Sequence, residues 1–287
     1  MIQFDTDPSP SVFDRVVAVD ADVDHIFSYG GIDAENVVAS VYGAIFTRGL
    51  EELKHTAIFI GGSNVSAGES LWNQIDNTFL GPLRVSVMMD SNGSNTTAAA
   101  AVLSARKHVT LRGGRALVLG GTGPVGIRVG QLLAEEGAKV ILASRSLAKA
   151  DEASSRLTEL VPDSSVSPLE WNASGPPLED CQGAEIVIAC GAAGAELLTA
   201  DGLRKLLALK VAIDLNAVPP AGLGGIKSTD KAKDRDGVIC YGAVGVGGLK
   251  MKIHRSAIKK LFDSNNQMLD TLQIYKLGES LIQQSST

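Results

Sequence analysis

The length, composition and charge of the chain exclude several classes of protein. It has 287 residues, of which 45% are hydrophobic and 31 are glycine, and its formal net charge is −6. A chain of this size can bury one large core or two moderate ones, and frequent glycine is typical of the strand-to-helix turns of α/β enzymes. Because the sequence has no basic tract and no apolar run of roughly 20 residues, we expect neither nucleic acid nor a membrane as a partner.

The cysteines and histidines show no metal-binding pattern. The three cysteines lack CxxC spacing, and the four histidines are scattered along the chain. This arrangement predicts neither a zinc site nor a disulfide framework. Met1 leads into a strand-like segment rather than a signal peptide, so we expect a cytoplasmic protein without a bound metal.

Apolar, β-rich runs alternate with helical patterns along the chain, which predicts an α/β fold built on parallel sheets with crossover helices. The first predicted α/β domain covers residues 1–109. In chain order, its strands are expected at residues 2–4, 44–47, 56–60 and 84–89. Its helices are expected after Pro10 and at residues 33–41, 65–78 and 96–108.

A second predicted α/β domain spans residues 110–263 and begins at the hinge-like segment VTLRGGR. Its strands are expected at residues 116–119, 139–143, 185–189, 211–214 and 238–241. Serine, proline and glycine are frequent in residues 163–180, which predicts an irregular connection. Apolar residues recur every four positions at residues 248–262, which predicts a helix, and residues 264–287 are expected to form a helix that packs on the first domain.

The strongest functional signal is a GxGxxG turn between a strand and an amphipathic helix. The motif consists of Gly121, Thr122, Gly123, Pro124, Val125 and Gly126. In a dinucleotide-binding βαβ unit, the first glycine permits the tight turn, the second lets the pyrophosphate approach the backbone, and the third lets the helix lie close to the sheet. The N–H groups and the positive dipole end of the helix then face the phosphates. Because the surrounding unit has the required length, the motif indicates a dinucleotide-binding domain.

The end of the second strand of this unit favours NADP over NAD. It carries Ser144, Arg145 and Ser146, with Lys149 one turn later. An NAD site usually has Asp or Glu here to bind the ribose 2′-hydroxyl, and this strand end has neither. The planar guanidinium of Arg145 can pair with a 2′-phosphate, and the flanking serines can donate to the same oxygens. We therefore predict NADP as the cofactor.

Two later strand ends are expected to complete the cofactor site, because ligands of open α/β sheets bind at the carboxyl ends of the strands. Small residues follow one strand at Cys190, Gly191 and Ala192. Asn216 and Ala217 follow the next strand and are candidates to contact the nicotinamide side. A loop held by the two prolines that follow explains these last two residues equally well.

A polar segment of the first domain is the candidate substrate site. Its members follow a strand and open a helix, and they are Asp90, Ser91, Asn92, Ser94, Asn95, Thr96 and Thr97. A helix cap needs one or two such residues, so the excess predicts a polar pocket for a ring rich in hydrogen-bond donors and acceptors. Lys250 is expected in the first turn of its helix, and His254, a further substrate-side candidate, follows one turn later on the same face. A solvated surface charge explains Lys250 equally well.

Six segments of the sequence resemble the recurrent motifs of one enzyme family. They are FDTDPSPSVFD, TAIFIGG, DSNGSNTTAAA, GTGPVG, NAVPPAGLGGI and GVGGLKMKIHR. This set is similar to the NADP-dependent methylene-tetrahydromethanopterin dehydrogenases of bacterial formaldehyde oxidation, some of which also accept methylene-tetrahydrofolate. The resemblance spans nearly the whole chain and implies a substrate domain, a Rossmann-type NADP domain, a cleft between them, a trimeric homo-oligomer and a catalytically important lysine at Lys250. Residues 163–180 match no family segment and receive no role.

The reaction implied by the resemblance transfers a hydride from the methylene bridge between two pterin nitrogens to the nicotinamide. The methenyl product is a delocalised cation and no proton is released, so the chemistry needs no general base. Because an ammonium group beside the reacting carbon would oppose the developing charge, we expect Lys250 to pair with a carboxylate, to be neutral, or to bond a pterin oxygen away from that carbon. Asp14 and Asp20 are the candidates to supply negative potential for the cation.

Two other functions fit parts of the sequence. A shikimate- or quinate-type NADP dehydrogenase has the same two-domain plan, but it acts on an alcohol and needs a proton acceptor at the reacting oxygen. A regulator that binds NADP without turnover needs only the dinucleotide-binding unit, and the polar segment at residues 90–97 argues against it.

Overall fold

The computed structural model describes residues 1–171 and 178–284, and the chain divides into two compact units. Unit 1 combines Met1–Thr96 with the chain from Met251 onward, and unit 2 spans Thr97–Lys250. Both divisions fall inside helices, Ser94–Arg106 and Ala243–Lys260. The sequence-based domain boundaries at residues 109/110 and 263/264 stay predictions.

Unit 1 is built on a five-stranded sheet whose strands run parallel. The strands are β1 (Ile2–Asp5), β2 (Phe27–Tyr29), β3 (Ala57–Gly61), β4 (Ser86–Met89) and β12 (Met268–Leu269). They lie in the order β12-β4-β3-β1-β2. The helices are α1 (Val12–Asp20), α2 (Val38–Ile45), α3 (Val65–Thr78) and α10 (Thr271–Gln284), with α4 (Ser94–Arg106) beginning in this unit. Two short 3-10 helices cover Leu50–His55 and Ser91–Gly93.

The central strands of unit 1 are covered on both faces. Every residue of β3 and of β4 is buried, as is usual for parallel sheets flanked by helices. On one face, Val41 of α2 and Leu71 of α3 join Ile58 and Val87 in a single core cluster. Burial of a side chain such as Leu71 stabilises the fold by about 1.5–3 kcal/mol, so α2 and α3 are held mainly by this packing.

Three sequence predictions for unit 1 need correction. A strand was expected at residues 44–47, but Ala44 and Ile45 end α2 and Phe46 is its C-cap. A run of four residues with three apolar members has no period that separates a strand from a helical turn, so the packing of α2 on the core decides. The helix expected at residues 33–41 accordingly begins later, at Val38. The short edge strands β2 and β12 were not predicted. The helix expected at residues 264–287 begins only at Thr271, because β12 occupies Met268–Leu269.

Unit 2 has the strand order of a doubly wound dinucleotide-binding fold. Its strands are β5 (Arg115–Leu119), β6 (Lys139–Ser144), β7 (Ser165–Glu170), β8 (Ile186–Ala189), β9 (Val211–Asp214), β10 (Lys233–Arg235) and β11 (Val238–Tyr241). They lie in the order β10-β11-β9-β8-β5-β6-β7, and β10 pairs antiparallel with β11. From β7 to β11 this is the order 3-2-1-4-5-6, in which the direction of winding reverses between β5 and β8. The predicted α/β class with a Rossmann-type domain is confirmed.

The helices of unit 2 connect these strands. They are α5 (Pro124–Glu135), α6 (Leu147–Leu160), α7 (Leu178–Cys181), α8 (Ala200–Arg204) and α9 (Ala243–Lys260), the last of which continues past the unit boundary. The core of the sheet is hydrophobic, and Leu117, Leu119 and Val187 pack in one cluster with Trp171. Within the described residues, no helix combines the length and the apolar character that crossing a membrane requires.

Two sequence predictions for unit 2 need correction. Residues 163–180 are not irregular throughout, because β7 occupies Ser165–Glu170 at the edge of the sheet. An edge strand tolerates Pro168, which the sequence pattern counts against a strand. Residues 172–177 of that prediction lie outside the described residues. The helix expected at residue 248 begins earlier, at Ala243.

Candidate functional site

The turn between β5 and α5 depends on Gly120, which the GxGxxG match leaves out. Gly120 has a φ of +70°, and a Cβ there would lie 2.7 Å from the Cα of Gly191. A residue with a side chain therefore fits neither the backbone conformation nor the space. The signal was present in the sequence, since Gly120 and Gly121 form a glycine pair directly after the strand. The N–H of Gly121 donates to the carbonyl of Ala143 (2.9 Å), which ties the turn to β6.

The other two glycines of the motif have different neighbours. A Cβ at Gly126 would lie 2.4 Å from the carbonyl oxygen of Gly120, so α5 begins directly against the turn. The close packing of α5 on the sheet comes instead from Gly130, where a Cβ would lie 2.9 Å from the side chain of Leu142. At Gly123 the nearest protein atom would be 3.4 Å from a Cβ. The protein itself tolerates a side chain at this position, whereas a ligand on the backbone would not.

The first turn of α5 offers N–H groups to a ligand. Gly123 is the N-cap and the exposed Pro124 is the first helical residue, followed by the half-buried Val125. Within the described part of the chain, no side chain caps this helix. Uncapped N–H groups at a helix start, together with the positive end of the helix dipole, form a site that suits a phosphate.

The end of β6 holds its hydroxyl groups in place and leaves its cations exposed. Thr122 Oγ1 donates to Ser144 Oγ (3.2 Å), and Ser146 caps α6 by accepting the N–H of Lys149. The side chains of Arg145 and Lys149 are exposed. The sequence analysis missed Glu170, an exposed carboxylate on β7 whose position in the sheet is directly beside Ser144.

The end of β8 lies against the glycine turn. Gly191 touches Gly120, and the backbone N–H of Cys190 donates to the carbonyl of Leu119 (2.8 Å). Burial raises the pKa of the Cys190 thiol, and the charge of Asp214 raises it further, so the thiol stays protonated at neutral pH. Ala192 follows as an exposed residue. The three residues lie at the carboxyl ends of the central strands, and their contact with a cofactor stays a prediction.

The loop after β9 is organised by Asp214, a buried carboxylate that the sequence analysis passed over. It accepts the N–H groups of Asn216 (3.0 Å) and Leu223 (3.1 Å). Burial raises the pKa of its carboxyl, while these N–H groups act in the opposite direction. Asn216 itself accepts from the N–H of Val218 and donates to the carbonyl of Pro220, both at 3.0 Å. Its amide therefore shapes the loop, and the exposed Ala217 is the more accessible of the two predicted cofactor contacts.

In unit 1, the polar segment after β4 forms a buried hydrogen-bond network. Asp90 Oδ1 accepts the N–H groups of Asn95 (2.9 Å) and Thr96 (3.0 Å), and Oδ2 accepts the Thr96 hydroxyl (2.6 Å). Ser91 Oγ donates to the carbonyl of Gly61 (3.2 Å), and Ser94 Oγ donates to the carbonyl of Ser91 (2.8 Å). The premise that a cap needs only one or two polar residues is wrong here, because the network joins the cap to two strand ends.

Two residues of the segment remain accessible. Asn92 is exposed, with a φ of +54°, and Thr97 is half-buried. The N–H of Asn92 donates to the carbonyl of Gly62 (2.7 Å), which fixes this turn against the end of β3. The substrate roles of the whole segment stay predictions, and these two side chains are the ones that a substrate could reach directly.

His254 is fully buried beside this network. Its ring stacks on Phe59, with centroids 5.7 Å apart and planes at 16°, and Nδ1 lies 3.8 Å from Asp90 Oδ2. The ring of Phe13 on α1 packs against the imidazole in a tilted arrangement, with the ring centroids 6.2 Å apart. The histidine therefore packs inside unit 1, and its predicted contact with a substrate stays a prediction.

The two acidic residues proposed for charge stabilisation have different surroundings. Asp14 is buried at the start of α1, and a Cβ at Gly61 would lie 3.3 Å from its Oδ2 and 3.1 Å from Asp5 Oδ2. Asp20 ends the same helix and is exposed. Asp20 lies six positions after Asp14 along the helix, a rise of about 9 Å, so the structure does not bring the two carboxylates together. Asp5, which the sequence analysis did not select, is the carboxylate next to Asp14.

Lys250 lies in the interior of α9 and is half-buried. The helix begins seven residues earlier at Ala243, so the expected position of Lys250 in the first turn is wrong. At this depth in the helix the macrodipole has little effect on the lysine, because it acts mainly within the first and last turns.

Comparisons with known proteins agree with the fold and the motifs. Residues 12–92 match the family described as methylene-tetrahydromethanopterin dehydrogenase, N-terminal. The chain is 45% identical over 283 residues, 98% of each chain, to a protein of Methylorubrum extorquens strain AM1 named bifunctional protein MdtA. It is 30% identical over 280 residues, 93% of each chain, to the NAD(P)-dependent methylenetetrahydromethanopterin dehydrogenase of the same organism.

A similarity to solved structures supports the fold. The ligand-free 5-ketofructose reductase of Gluconobacter sp. strain CHM43 matches with a TM-score of 0.52 and 17% identity, over 98% of this chain and 97% of that chain. An identity this low is evidence for the fold alone. The two relatives from Methylorubrum extorquens extend over nearly the whole length of the sequence, and the expected resemblance is thereby confirmed. The chain belongs to the methylenetetrahydromethanopterin dehydrogenase family.

Proposed function

We propose that the protein oxidises methylene-tetrahydromethanopterin by hydride transfer to NADP, giving the methenyl cation and NADPH in one-carbon metabolism. The observation that carries this proposal is the 30% identity, over 93% of the chain, to a relative named as an NAD(P)-dependent dehydrogenase of this pterin. The glycine turn and the strand order of unit 2 support it, because they are the parts that a dinucleotide requires. Methylene-tetrahydrofolate is the second pterin that we expect the site to accept.

The residues of unit 2 fit a phosphorylated nicotinamide dinucleotide. Gly123 leaves the backbone open where the pyrophosphate approaches, and the uncapped start of α5 supplies N–H groups to it. Arg145 and Lys149 are exposed cations at the end of β6, where the 2′-phosphate of the adenosine ribose is expected. When bound, NADP supplies the acceptor for the hydride. The choice of NADP over NAD is therefore assigned to Arg145, with Lys149 as a second cation.

The protein's own part in the reaction is to hold and orient the pterin and the nicotinamide. No proton leaves the methylene group, so no side chain of the protein acts as a base. The carboxyl groups of Asp14 and Asp5 are buried at the end of the sheet of unit 1, where an ionised carboxylate would favour a cationic product. Asn92 and Thr97 are the accessible members of the polar segment and would bind the pterin ring. Lys250 would bond a pterin oxygen away from the reacting carbon.

The test of this function is an absorbance assay for NADPH and for the methenyl product. We expect NADP-dependent oxidation of methylene-tetrahydromethanopterin by the purified protein and a lower rate with NAD. Parallel reactions contain methylene-tetrahydrofolate or shikimate in place of the first substrate. Turnover of shikimate without turnover of either pterin would replace the proposal with an alcohol dehydrogenase. Tight binding of NADP with no turnover of any substrate would favour the non-catalytic regulator.

We also propose that the chain forms a homo-oligomer, with a trimer as the expected state. The supporting observation is an apolar stripe on α1, formed by Val12, Val16 and Val19, which are 67%, 54% and 63% exposed. Phe27 and Tyr29, on the edge strand β2 of the same unit, are also at least half exposed. Large exposed apolar side chains grouped on one helix face are typical of a protein interface.

Replacing Val16 with aspartate is expected to shift the protein from oligomer to monomer. A charge placed inside an apolar interface loses its hydration without gaining a partner, which opposes association. Sedimentation velocity at matched concentrations measures the change. Leu207→Asp is the control, because Leu207 is 88% exposed and lies in unit 2. A monomeric wild type, or a Val16→Asp variant with the wild-type sedimentation coefficient, contradicts the proposed interface.

A further inference from the structure

The start of α9 is pressed against the backbone of the loop at residues 227–231. A Cβ at Gly242 would lie 2.1 Å from the carbonyl oxygen of Lys227, and a Cβ at Gly245 would lie 1.8 Å from the carbonyl oxygen of Asp230. Both neighbours are backbone atoms, which cannot rotate away as a flexible side chain can. The two glycines therefore let the helix approach the loop more closely than any other residue would permit.

Hydrogen bonds fasten the same helix start to the same loop. The N–H of Gly242 donates to the carbonyl of Asp230 (2.9 Å), and the N–H groups of Val244 (2.8 Å) and Gly245 (3.3 Å) donate to the carbonyl of Ser228. The first N–H groups of a helix have no partners within the helix. Here backbone carbonyls of the loop take the place that a capping side chain usually fills, so the position of the loop sets the position of the helix start.

The loop in turn is held by an ion pair between Asp230 and Arg235 of β10. The guanidinium donates twice, from Nε to Oδ2 and from Nη2 to Oδ1, both at 2.8 Å, and the N–H of Lys227 donates to Oδ2 at 2.9 Å. Asp230 is buried. The hydrogen bonds from Arg235 hold the pKa of this carboxyl below its ordinary value, so it is ionised at neutral pH. A bidentate pair of this kind fixes orientation as well as distance.

We infer that Arg235 and Asp230 are positioning residues for Lys250, because together they fix where α9 begins. Lys250 lies seven residues after Ala243, about 10 Å along the helix axis, and a helix transmits a displacement of its first turn along that axis. The inference rests on the proposed function. It adds two residues that lie outside the six family-like segments of the sequence. Neither residue would touch the pterin or NADP.

The first test removes the ion pair. Arg235→Met is expected to lower the turnover number for methylene-tetrahydromethanopterin at least about tenfold, because small displacements of a reacting group are costly. The NADP dissociation constant should stay within about twofold of the wild-type value, since the glycine turn is unaltered. Arg235→Lys should recover part of the rate. Arg204→Met is the control, because it removes a salt bridge with Asp201 on α8 of the same unit.

The second test displaces the helix without removing any charge. Gly245→Ala introduces a methyl group where the carbonyl oxygen of Asp230 lies, whereas Gly248→Ala in the same helix meets open space. Both changes raise the intrinsic helix propensity equally. We expect Gly245→Ala to lower turnover and Gly248→Ala to leave it unaltered. Hydrogen exchange of the Val244 and Gly245 amides in the NADP-free protein reports directly whether the start of α9 detaches from the loop. The exchange rate of these amides should rise in Arg235→Met.

The third test asks whether the ion pair acts through Lys250. In the Lys250→Met background, Arg235→Met should cause no further loss of turnover, because the group that it positions is already absent. A loss equal to that in the wild-type background would make the pair a stabilising element only and overturn the inference. Unchanged turnover in both Arg235→Met and Gly245→Ala would do the same. A wild type that oxidises neither pterin overturns the proposed function and this inference together.

Discussion

Lys250→Met is expected to lower the turnover number about 100-fold or more, the range seen when one preorganised polar contact to a reacting group is removed. Methionine keeps the length and much of the apolar stem of lysine, so the change mainly removes the ammonium group. The NADP dissociation constant should be nearly unchanged, because the proposed contacts to the cofactor lie at the ends of β5, β6, β8 and β9. Steady-state kinetics with methylene-tetrahydromethanopterin, together with calorimetric titration of NADP, measures both quantities.

The control for this prediction lies on the same helix. Lys252 is exposed, two residues beyond Lys250, and therefore faces a different direction. Lys252→Met removes the same charge from α9, and we expect it to leave turnover close to the wild-type value. Near-normal turnover in Lys250→Met would show that the family resemblance assigns the lysine wrongly. Equal losses in the two variants would attribute the effect to the net charge of the helix.

Arg145→Ala is expected to raise the NADP dissociation constant about 10- to 100-fold, which corresponds to the loss of one hydrogen-bonded contact to a charged group. The affinity for NAD should change little, because NAD lacks the 2′-phosphate that Arg145 is proposed to bind. The ratio of the two dissociation constants, measured by fluorescence titration, is therefore more informative than either constant alone. A parallel loss of affinity for both cofactors would place Arg145 elsewhere in the site.

Glu170→Gln provides the matched control at the neighbouring strand end. The exposed carboxylate of Glu170 lies on β7 beside Ser144, and like charges repel, so it opposes a phosphate bound nearby. We expect its removal to leave NADP affinity unchanged or to raise it. A lower NADP affinity in Glu170→Gln would indicate that the carboxylate orients the Arg145 guanidinium and does not oppose the 2′-phosphate of NADP.

The sequence predicted the parts of the fold whose signals are local. The strands β5, β6, β8, β9 and β11 were expected within one or two residues of their observed ends, because each is a short apolar run bounded by turn residues. The glycine motif was found for the same reason, since its residues are consecutive. The role of Gly120 required the structure, because the neighbour that excludes a side chain there is Gly191, far away in the chain.

The polar segment after β4 shows why side-chain roles were harder to predict. Counting polar residues between Asp90 and Thr97 indicated a pocket, but most of them bond to one another or to the carbonyl of Gly61 on a neighbouring strand. Composition does not distinguish a hydroxyl that binds a ligand from one that satisfies a backbone group. The partners lie on other elements, and only the assembled sheet brings them together.

The sequence by itself determined the α/β class, the position of the dinucleotide motif and the family, because these depend on periodicity and on consecutive residues. Only the tertiary structure decided where α9 begins, which polar residues are buried and which carboxylate lies beside Asp14. Gly242 and Gly245 would weaken an isolated helix, yet α9 includes Gly245 because its start packs on the loop around Asp230. Contacts between residues distant in the chain outweigh a local preference of about 1 kcal/mol, and no local pattern contains them.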